Sequence, residues 1–214
     1  MSVAVIPIKS LAHSKSRLAS EFSRSELETL SLSMLDDLLG SLLATPALTR
    51  VAVATPDDRV AELARSLGAE ALHGPDPGLK SAIDGAPAKL GLEPDDALLV
   101  ILGDLPDARP DELQRLFDAI KDNEGPVAAL APSSDGGTSA LLRKPHDCIP
   151  SCFGAESALR HMEAAEAEGV PLLRIPLPSL DLDLDSATDL DRFWNTDGCG
   201  LRTRETLSKM GWPR

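Results

Sequence analysis

Aromatic residues are scarce in this sequence. Its 214 residues include four phenylalanines, two tryptophans and no tyrosine, and aromatic side chains make up only 3% of the chain. Hydrophobic residues of all kinds nevertheless make up 43%, which is enough to build a buried core in a chain of this length. We therefore predict a folded protein with a mostly aliphatic core, and we exclude a disordered chain.

Basic residues are fewer than acidic residues. Lysine and arginine number 21 against 34 aspartates and glutamates, which gives a formal net charge of −13. A surface of this sign repels the phosphates of nucleic acids and of anionic lipids. We therefore expect neither a nucleic-acid partner nor binding to a membrane surface.

Cysteines and long apolar runs are few. The three cysteines lack the paired spacing of a zinc site, and their odd number favours free thiols in a reducing compartment. The apolar run Ala97–Leu102 is far shorter than the ~20 residues that span a bilayer. The first residues lack the basic start of a signal peptide. These features predict a cytoplasmic protein.

Common catalytic motifs are absent as well. The sequence contains no GxxxxGK followed by Ser or Thr, no GxGxxG after a predicted strand, no HExxH and no GxSxG. The four histidines are scattered, and no nucleophile is paired with any of them in the sequence: His13, His73, His146 and His161. Neither a hydrolase triad nor zinc chemistry is indicated.

The apolar pattern alternates between strand and helix along most of the chain. Strands are predicted at Val3–Ile8, Val51–Thr55, Ala69–Leu72, Ala97–Leu102, Val127–Leu130, Thr138–Leu142, Leu172–Leu177 and Leu180–Leu184. Helices are predicted from the capping box Ser23–Glu26 through Leu42, at Asp57–Leu67, from Pro110, at Glu156–Glu168, and from Ser186 to Trp194. A further helix is predicted at Leu79–Leu90, and Gly85 and Pro87 are expected to disturb its second half. This alternation indicates one α/β domain with a mostly parallel sheet over residues 1–194. We expect residues 195–214 to form a tail that packs on the domain or on a second subunit, which leaves a homodimer open.

A basic loop follows the first predicted strand. Residues 1–20 contain Lys9, Lys15 and Arg17 but no acidic residue, although the whole chain is acidic. Ligands of open α/β sheets bind beyond the carboxyl ends of the strands. The loop is therefore suited to a polyphosphate, and the alternative is a solvated basic loop without a ligand.

Aspartates stand at two other positions where a sheet can present them. Asp104 directly follows the predicted central strand, and Asp181, Asp183 and Asp185 alternate with leucines on the last one. Residues two apart share one face of a strand, and adjacent carboxylates are unfavourable unless a cation neutralises them. A helix cap at Asp104 and an acidic edge strand are the alternatives. Together with the basic loop, these aspartates suggest Mg²⁺-dependent nucleotidyl transfer.

Several segments in order resemble one family over residues 3–194. They are Ile6-Pro7-Ile8-Lys9, Lys15-Ser16-Arg17-Leu18, Gly103-Asp104-Leu105-Pro106, Gly136-Gly137-Thr138, Phe153-Gly154-Ala155-Glu156-Ser157 and Asp183-Leu184-Asp185-Ser186. The sequence thereby resembles the 2-phospho-L-lactate guanylyltransferase family of coenzyme F420 biosynthesis, some members of which use phosphoenolpyruvate. The resemblance implies a Rossmann-like nucleotidyltransferase (GT-A-like) fold with a mostly parallel mixed sheet flanked by helices.

The resemblance also implies roles for particular residues. Mg²⁺ would be bound by Asp104, Asp183 and Asp185, and the phosphorylated acid by Thr138, Gly154 and Ser157. The GTP phosphates would meet Lys9, Lys15 and Arg17, and Lys15, Arg17 and Asp104 would be catalytic. The implied reaction joins GMP from GTP to the phosphate of 2-phospho-L-lactate, phosphoenolpyruvate or a phosphoglycerate and releases pyrophosphate.

Two positions depart from the family pattern. Lys80 and Ser139 stand where the family usually has asparagine, and both are expected to face the ligands. Lys80 would then lie beside the nucleotide and could change nucleotide preference, and Ser139 could change the acid that is accepted. The alternatives are a related enzyme of the molybdopterin cytidylyltransferase type and a degenerate nucleotide-binding regulatory protein.

Overall fold

Seven strands form a single sheet whose order places the first and fourth strands at its centre. The structure, a computed structural model, describes residues 1–76 and 78–213; Arg214, the last residue of the predicted tail, lies outside them. The strands are β1 (Ser2–Pro7), β2 (Arg50–Thr55), β3 (Glu70–His73), β4 (Ala97–Ile101), β5 (Val127–Pro132), β6 (Thr138–Lys144) and β7 (Leu172–Arg174). Their order is β3-β2-β1-β4-β6-β5-β7. Only β6 runs antiparallel to its neighbours, so the predicted mostly parallel mixed sheet is confirmed.

Helices cover both faces of this sheet. They are α1 (Arg24–Leu43), α2 (Asp58–Ser66), α3 (Leu79–Leu90), α4 (Pro110–Ile120), α5 (Ser157–Glu168), α6 (Ala187–Trp194) and α7 (Leu201–Lys209). The buried faces of α1, α2 and α4 pack on one side of the sheet, and those of α3 and α5 on the other. The strands β1 and β4 are buried on both faces, as expected for a covered parallel sheet.

Helix α1 begins as the sequence predicts. The side chain of Ser23 accepts the N–H of Glu26, and the Glu26 carboxylate accepts the N–H of Ser23 at 2.8 Å. This reciprocal capping satisfies donors that the first turn would otherwise leave free. The apolar residues predicted to share one face are all buried: Leu27, Leu30, Met34, Leu35, Leu38 and Leu42.

Helix α3 is unbroken, although Pro87 lies inside it. Proline in a helix interior costs about 3 kcal/mol because it removes one hydrogen bond and crowds the preceding turn. Ile83, Ala86 and Leu90 are buried against the sheet, and burial of each large aliphatic side chain contributes about 1.5–3 kcal/mol. The expected disturbance of the second half is therefore wrong, because packing outweighs it.

Two predicted strands are shorter or absent. The strand predicted at Leu172–Leu177 ends at Arg174, and one further ladder bond runs from the N–H of Ile175 to Leu130. Pro176 has no N–H with which to continue the ladder. The strand predicted at Leu180–Leu184 is wrong: Pro178–Leu180 form a 3₁₀ turn, and residues 181–185 are irregular. Their backbone groups form hydrogen bonds with neighbouring loops instead of pairing with a strand.

The residues after α6 pack back onto α1. The carboxylate of Asp37 accepts the N–H groups of Arg202 and Thr203 at the start of α7. Leu207 and Trp212 are buried beside the first half of α1 in a second, smaller core. Among the described residues, no helix is both long and apolar enough to cross a bilayer.

One edge of the sheet gathers the segments that the sequence marks as functional. The parallel neighbours β1 and β4 have their carboxyl ends here, so the basic loop and Asp104 emerge side by side. Because β6 runs the other way, its first residue Thr138 lies at this same edge, next to the end of β4.

Candidate functional site

Three aspartates from two separate segments meet at this edge. Asp104 lies in the turn after β4, whereas Asp183 and Asp185 lie in the irregular segment before α6. One carboxylate oxygen from each lies within 4.8 Å of the others. Carboxylate oxygens in such a group are the ligands that hard divalent cations prefer.

Gly103 lets the turn after β4 pass close to β1. A Cβ atom at position 103 would lie 2.0 Å from Cδ1 of Ile8, so any side chain there would displace Ile8. The N–H of Leu102 also donates to the carbonyl of Ser139 at 3.0 Å. The turn is thereby fixed between β1 and β6, and it carries Asp104 beside the basic loop.

Hydrogen bonds to neighbouring loops hold the irregular segment 181–185. The N–H of Leu184 donates to the carbonyl of Asp104 at 3.3 Å, and the Leu184 side chain is buried. Just before the segment, the Ser139 hydroxyl donates to the carbonyl of Leu180 at 2.6 Å. These bonds place the acidic segment against the turn after β4 without any strand pairing.

The ammonium group of Lys15 lies between two of the three carboxylates. Its Nζ donates to Oδ2 of Asp104 at 2.9 Å and to Oδ1 of Asp185 at 2.7 Å, and only 7% of the side chain is exposed. Burial alone lowers the pKa of Lys15, but the two carboxylates outweigh it and raise the pKa above its ordinary value. Lys15 therefore stays charged at neutral pH.

The pKa values of Asp183 and Asp185 shift in opposite directions. Burial, with repulsion from Asp104 and Asp185, raises the pKa of Asp183 to about 6. Burial also acts to raise the pKa of Asp185, but the positive charges of the basic loop, Lys15 first among them, lower it overall. The site therefore holds more negative charge than Lys15 compensates.

One carboxylate oxygen of Asp104 is buried without a partner. Its Oδ2 accepts from Lys15, whereas Oδ1 is shielded from solvent and accepts no hydrogen bond from any residue in the described ranges. Leaving a buried acceptor unpaired costs about 1–3 kcal/mol or more when it is charged. A cation held by the three carboxylates would satisfy this oxygen, so the residues fit a divalent metal.

A pocket of about 550 Å³ opens beside the three aspartates. One wall is apolar and is built by α1, α2 and the first residue of α3: Met34, Leu35, Val60 and Leu79. The lining also includes charged side chains: Lys9, Lys15, Asp76, Asp104 and Asp185. An apolar wall together with charged side chains suits a ligand that has a flat ring at one end and phosphates at the other.

Thr138, which is predicted to bind the acid, contacts a buried histidine. The Oγ1 atom of Thr138 lies 3.0 Å from Nδ1 of His161, and Nε2 of the same ring accepts the N–H of Cys152 at 2.8 Å. Burial, with the charges of Arg143 and Arg160, lowers the pKa of His161 to about 4. The ring is therefore neutral, and because Nε2 accepts, its proton lies on Nδ1 and faces Thr138.

The loop before α5 is also fixed at this place. The N–H of Ser157, the first residue of α5, donates to the carbonyl of Gly154 at 3.1 Å, and Gly154 has a φ of +121°. The guanidinium of Arg160 donates to the carbonyls of Cys152 and Phe153. The partial positive charge of a helix N-terminus favours a nearby anion, and the binding of the acid by Gly154 and Ser157 stays a prediction.

His161 has a part in this arrangement that the sequence analysis missed. The sequence alone assigns it no role, because no motif pairs this histidine with a nucleophile. Its partner Thr138 lies 23 positions away in the sequence, so no local pattern identifies this contact.

We expect His161→Phe to lower the free energy of unfolding by about 2–4 kcal/mol at pH 7.5, because the hydroxyl of Thr138 and the N–H of Cys152 lose their buried partner. The native histidine binds fewer protons than the unfolded one, so its contribution is lost as pH falls from about 6.5 to about 4. Urea unfolding at several pH values checks both statements. The exposed neighbour Met162→Ala is the control, and an equal loss in both variants would contradict the assignment.

The other three residues predicted to bind the nucleotide, Lys9, Arg17 and Lys80, lie in different surroundings. Lys9 is exposed and lines the 550 Å³ pocket, and Arg17 is exposed on the 3₁₀ turn Ser16–Leu18, where its charge acts on Asp185. Lys80 pairs with Asp84, has a side chain that is 69% exposed, and borders a different pocket. Its contact with a nucleotide stays a prediction.

The sequence predicts that Ser139 faces a ligand. In the structure Ser139 is buried and does not line the 550 Å³ pocket. The residue is only 2% exposed, and its hydroxyl donates to the Leu180 carbonyl. A substitution at position 139 would therefore act on the site through the position of the acidic segment.

We expect Asp183→Asn to stabilise the metal-free protein. The raised pKa means that ionised Asp183 destabilises the fold, and this destabilisation grows as pH rises from about 4 to about 6. In EDTA, the variant should exceed the wild type by roughly 1–3 kcal/mol above pH 6 and match it near pH 4. Urea unfolding measures the difference, with Asp181→Asn as the control. A difference that does not change with pH would contradict the prediction.

Known proteins that are similar to this chain include guanylyltransferases. The family described as guanylyl transferase CofC like matches residues 2–213. A phosphoenolpyruvate guanylyltransferase of Sphaerobacter thermophilus is 36% identical over 193 residues, which cover 90% of this chain and 92% of that protein. A 3-phospho-D-glycerate guanylyltransferase of Phenylobacterium zucineum is 35% identical, and the match covers 98% of this chain and 97% of that protein.

Solved structures share the fold at low sequence identity. A protein of Desulfovibrio desulfuricans G20, provisionally named a nucleotide-diphospho-sugar transferase, superposes with a TM-score of 0.77 at 16% identity, covering 98% of this chain and 96% of that one. A nucleotidyl transferase of Methanothermobacter superposes with a TM-score of 0.63 at 16% identity, covering 90% and 95%. The fold is therefore that of the nucleotidyltransferases, as the sequence predicted.

Proposed function

We propose that this chain, which belongs to the guanylyl transferase CofC-like family, transfers GMP from GTP to the phosphate of a small phosphorylated acid and releases pyrophosphate. The relatives named above are guanylyltransferases that differ in the phosphorylated acid of their names. We place the reaction in coenzyme F420 biosynthesis, as the sequence resemblance implied.

The observation that carries this proposal is the convergence of opposite charges at one end of an apolar pocket. Asp104, Asp183 and Asp185 come together there, and Lys15 bridges two of them. The pocket has room for a nucleotide. We infer that guanine packs against the wall formed by α1, α2 and α3, and that the triphosphate extends toward Lys9 and Lys15.

The three carboxylates would hold Mg²⁺. Its chemistry there is to neutralise the triphosphate oxygens and the charge that develops on the departing pyrophosphate. The unpartnered Oδ1 of Asp104 and the raised pKa of Asp183 support this assignment, since both indicate a site that is incomplete without a cation.

Lys15 supplies a fixed positive charge on the protein side of the same site. Its buried position keeps the charge in a poorly solvated environment, where it interacts more strongly with phosphate oxygens than it would in water. Arg17 lies two residues further on the same loop and is exposed, so it can reach the outer phosphates. Both residues would stabilise the leaving pyrophosphate.

The acceptor phosphate needs no general base. A phosphate monoester has a second pKa of about 6, so at neutral pH it is already a nucleophilic anion. An oxygen of this phosphate attacks the α-phosphorus of GTP, and the bond to the pyrophosphate oxygen breaks. The protein's task is to bring two anions together in the right orientation.

Thr138, Gly154 and Ser157 would position the acid. They lie around the start of β6 and the N-terminus of α5, at the sheet edge that also carries Asp104. The neutral ring of His161 contacts the Thr138 hydroxyl and accepts the Cys152 N–H, so we infer that it fixes Thr138 relative to the loop before α5.

The test is acceptor-dependent release of pyrophosphate with GTP and Mg²⁺. 2-Phospho-L-lactate, phosphoenolpyruvate and 3-phosphoglycerate are assayed in parallel, and GTP is then replaced by CTP, UTP and ATP. Release that requires GTP and one acid supports the proposal and names the acid. A preference for CTP would favour the cytidylyltransferase alternative. Nucleotide binding without product from any pair would favour a regulatory protein instead.

A further inference from the structure

A second pocket lies on the face of the sheet that α3 covers. It has a volume of about 530 Å³ and is bordered by α3, by the end of β6 and by the loop that follows β6. The side chains that matter here are those of Arg143, His146, Asp84 and Asp147. None of the aspartates of the metal-binding group borders it.

Arg143 is a buried cation in this pocket. The residue is only 4% exposed, and its Nη1 donates to the carbonyl of Ile149 at 2.9 Å. Its Nε–H has no hydrogen-bond partner in the described part of the chain. Burial lowers the pKa of Arg143, and the nearby Cys148, Asp84 and Asp147 offset this only in part. A buried charge without close compensation is costly unless something else supplies the opposite charge.

His146 adds a second unpartnered nitrogen to the same pocket. Its Nδ1 is shielded from solvent and has no hydrogen-bond partner among residues 1–76 and 78–213. The residue follows β6 by two positions, so it lies near Arg143 along the chain. Among the described residues, the pocket thus contains an Nε–H donor of Arg143 and a ring nitrogen of His146 that make no hydrogen bond.

We propose that this pocket binds a small oxyanion, a phosphate or a carboxylate group, between Arg143 and His146. The planar guanidinium matches the oxygen spacing of both groups and forms charge-assisted hydrogen bonds with them. An anion there would compensate the charge of Arg143, accept from its Nε–H, and accept from His146 in the tautomer that carries its proton on Nδ1.

The site is separate from the proposed catalytic centre. Arg143 pairs with Leu98 near the beginning of β4, whereas Ala140 pairs with Ile101 at the end that leads to Asp104. The two pockets therefore lie at opposite ends of β6. Binding at this second site does not depend on the guanylyltransferase proposal, and its failure would leave that proposal intact.

The test is calorimetric titration of the whole protein in EDTA with inorganic phosphate and, separately, with malonate. The wild type is compared with Arg143→Met, His146→Ala and Lys15→Met, the last of which removes a cation of the catalytic centre. We expect Lys15→Met to keep one anion site. Arg143→Met should weaken anion binding at that site at least about tenfold, as loss of a charged hydrogen bond implies. His146→Ala should weaken the same site about threefold or more. The tighter of the two anions identifies the group that the site accepts.

Two results would overturn the proposal. One is equal anion affinity in Arg143→Met and the wild type, and the other is no binding of either anion to Lys15→Met. If Arg143→Met does not fold, His146→Ala decides, since unchanged affinity in that variant would also overturn it. Circular dichroism and thermal unfolding establish that each variant is folded.

Discussion

Asp104→Asn is expected to reduce the rate of guanylyl transfer by about 10³-fold or more, the scale at which removal of a main electrostatic group lowers kcat. The amide keeps the size of the side chain and can still accept from Lys15, so the fold should remain. It loses the anionic oxygen that is buried without a partner and that we assign to the metal. Initial rates of pyrophosphate release at saturating GTP and acceptor measure the effect.

The matched control is Asp181→Asn. Asp181 belongs to the same acidic run, but it is not one of the three residues whose oxygens converge. The Asp181→Asn variant should keep a rate within about threefold of the wild type, since the substitution removes a charge outside the site. Near-normal turnover by Asp104→Asn, or an equal loss in Asp181→Asn, would remove the assignment of Asp104 as a metal ligand.

Lys15→Met should have the second-largest effect. It removes the buried charge that contacts Asp104 and Asp185, and we expect kcat/KM for GTP to fall by about 10²–10³-fold, as for other groups that stabilise a transferring phosphoryl group. The metal-free variant should also lose about 3–5 kcal/mol of stability, since removing one partner of a buried ion pair leaves the other uncompensated.

Saturating Mg²⁺ should restore part of that stability, because a cation can neutralise the same carboxylates. Arg59→Met provides the comparison: it breaks an exposed ion pair with Glu28 of 2.8 Å, and such pairs contribute about 0–1 kcal/mol. Urea unfolding with and without Mg²⁺ measures the stability. If Lys15→Met and Arg59→Met were equally stable and active, the bridging role of Lys15 would be wrong.

Much of the fold could be predicted because local patterns and packing agree. The capping residues Ser23 and Glu26, the buried face of α1 and the run Ala97–Ile101 all occur as the sequence indicated. The prediction was wrong where local pattern and tertiary contacts disagree. Strict alternation at 180–184 indicates a strand, but those residues bind the loop after β4 and the side chain of Ser139.

Part of the candidate site could also be predicted from the sequence. Asp104 follows a strand, Lys15 belongs to a basic loop, and Asp183 and Asp185 belong to an acidic run, and the structure brings all four together. His161 and Ser139 could not be assigned from the sequence, because their roles are hydrogen bonds to residues 23 and 41 positions away. Such contacts depend on how β6, α5 and the turn at Pro178 pack, which no local pattern encodes.

Phosphorus NMR of the wild-type reaction tests most directly whether the acidic cluster and its pocket join GMP to an acceptor phosphate with the help of a divalent cation. The mixture contains GTP, Mg²⁺ and phosphoenolpyruvate, with 2-phospho-L-lactate and 3-phosphoglycerate in parallel samples. The expected result is that one acceptor signal is replaced by two coupled diphosphate signals together with an equal amount of pyrophosphate, and that EDTA prevents the change. A product that forms equally well in EDTA, or no new diphosphate with any of the three acids, would contradict it.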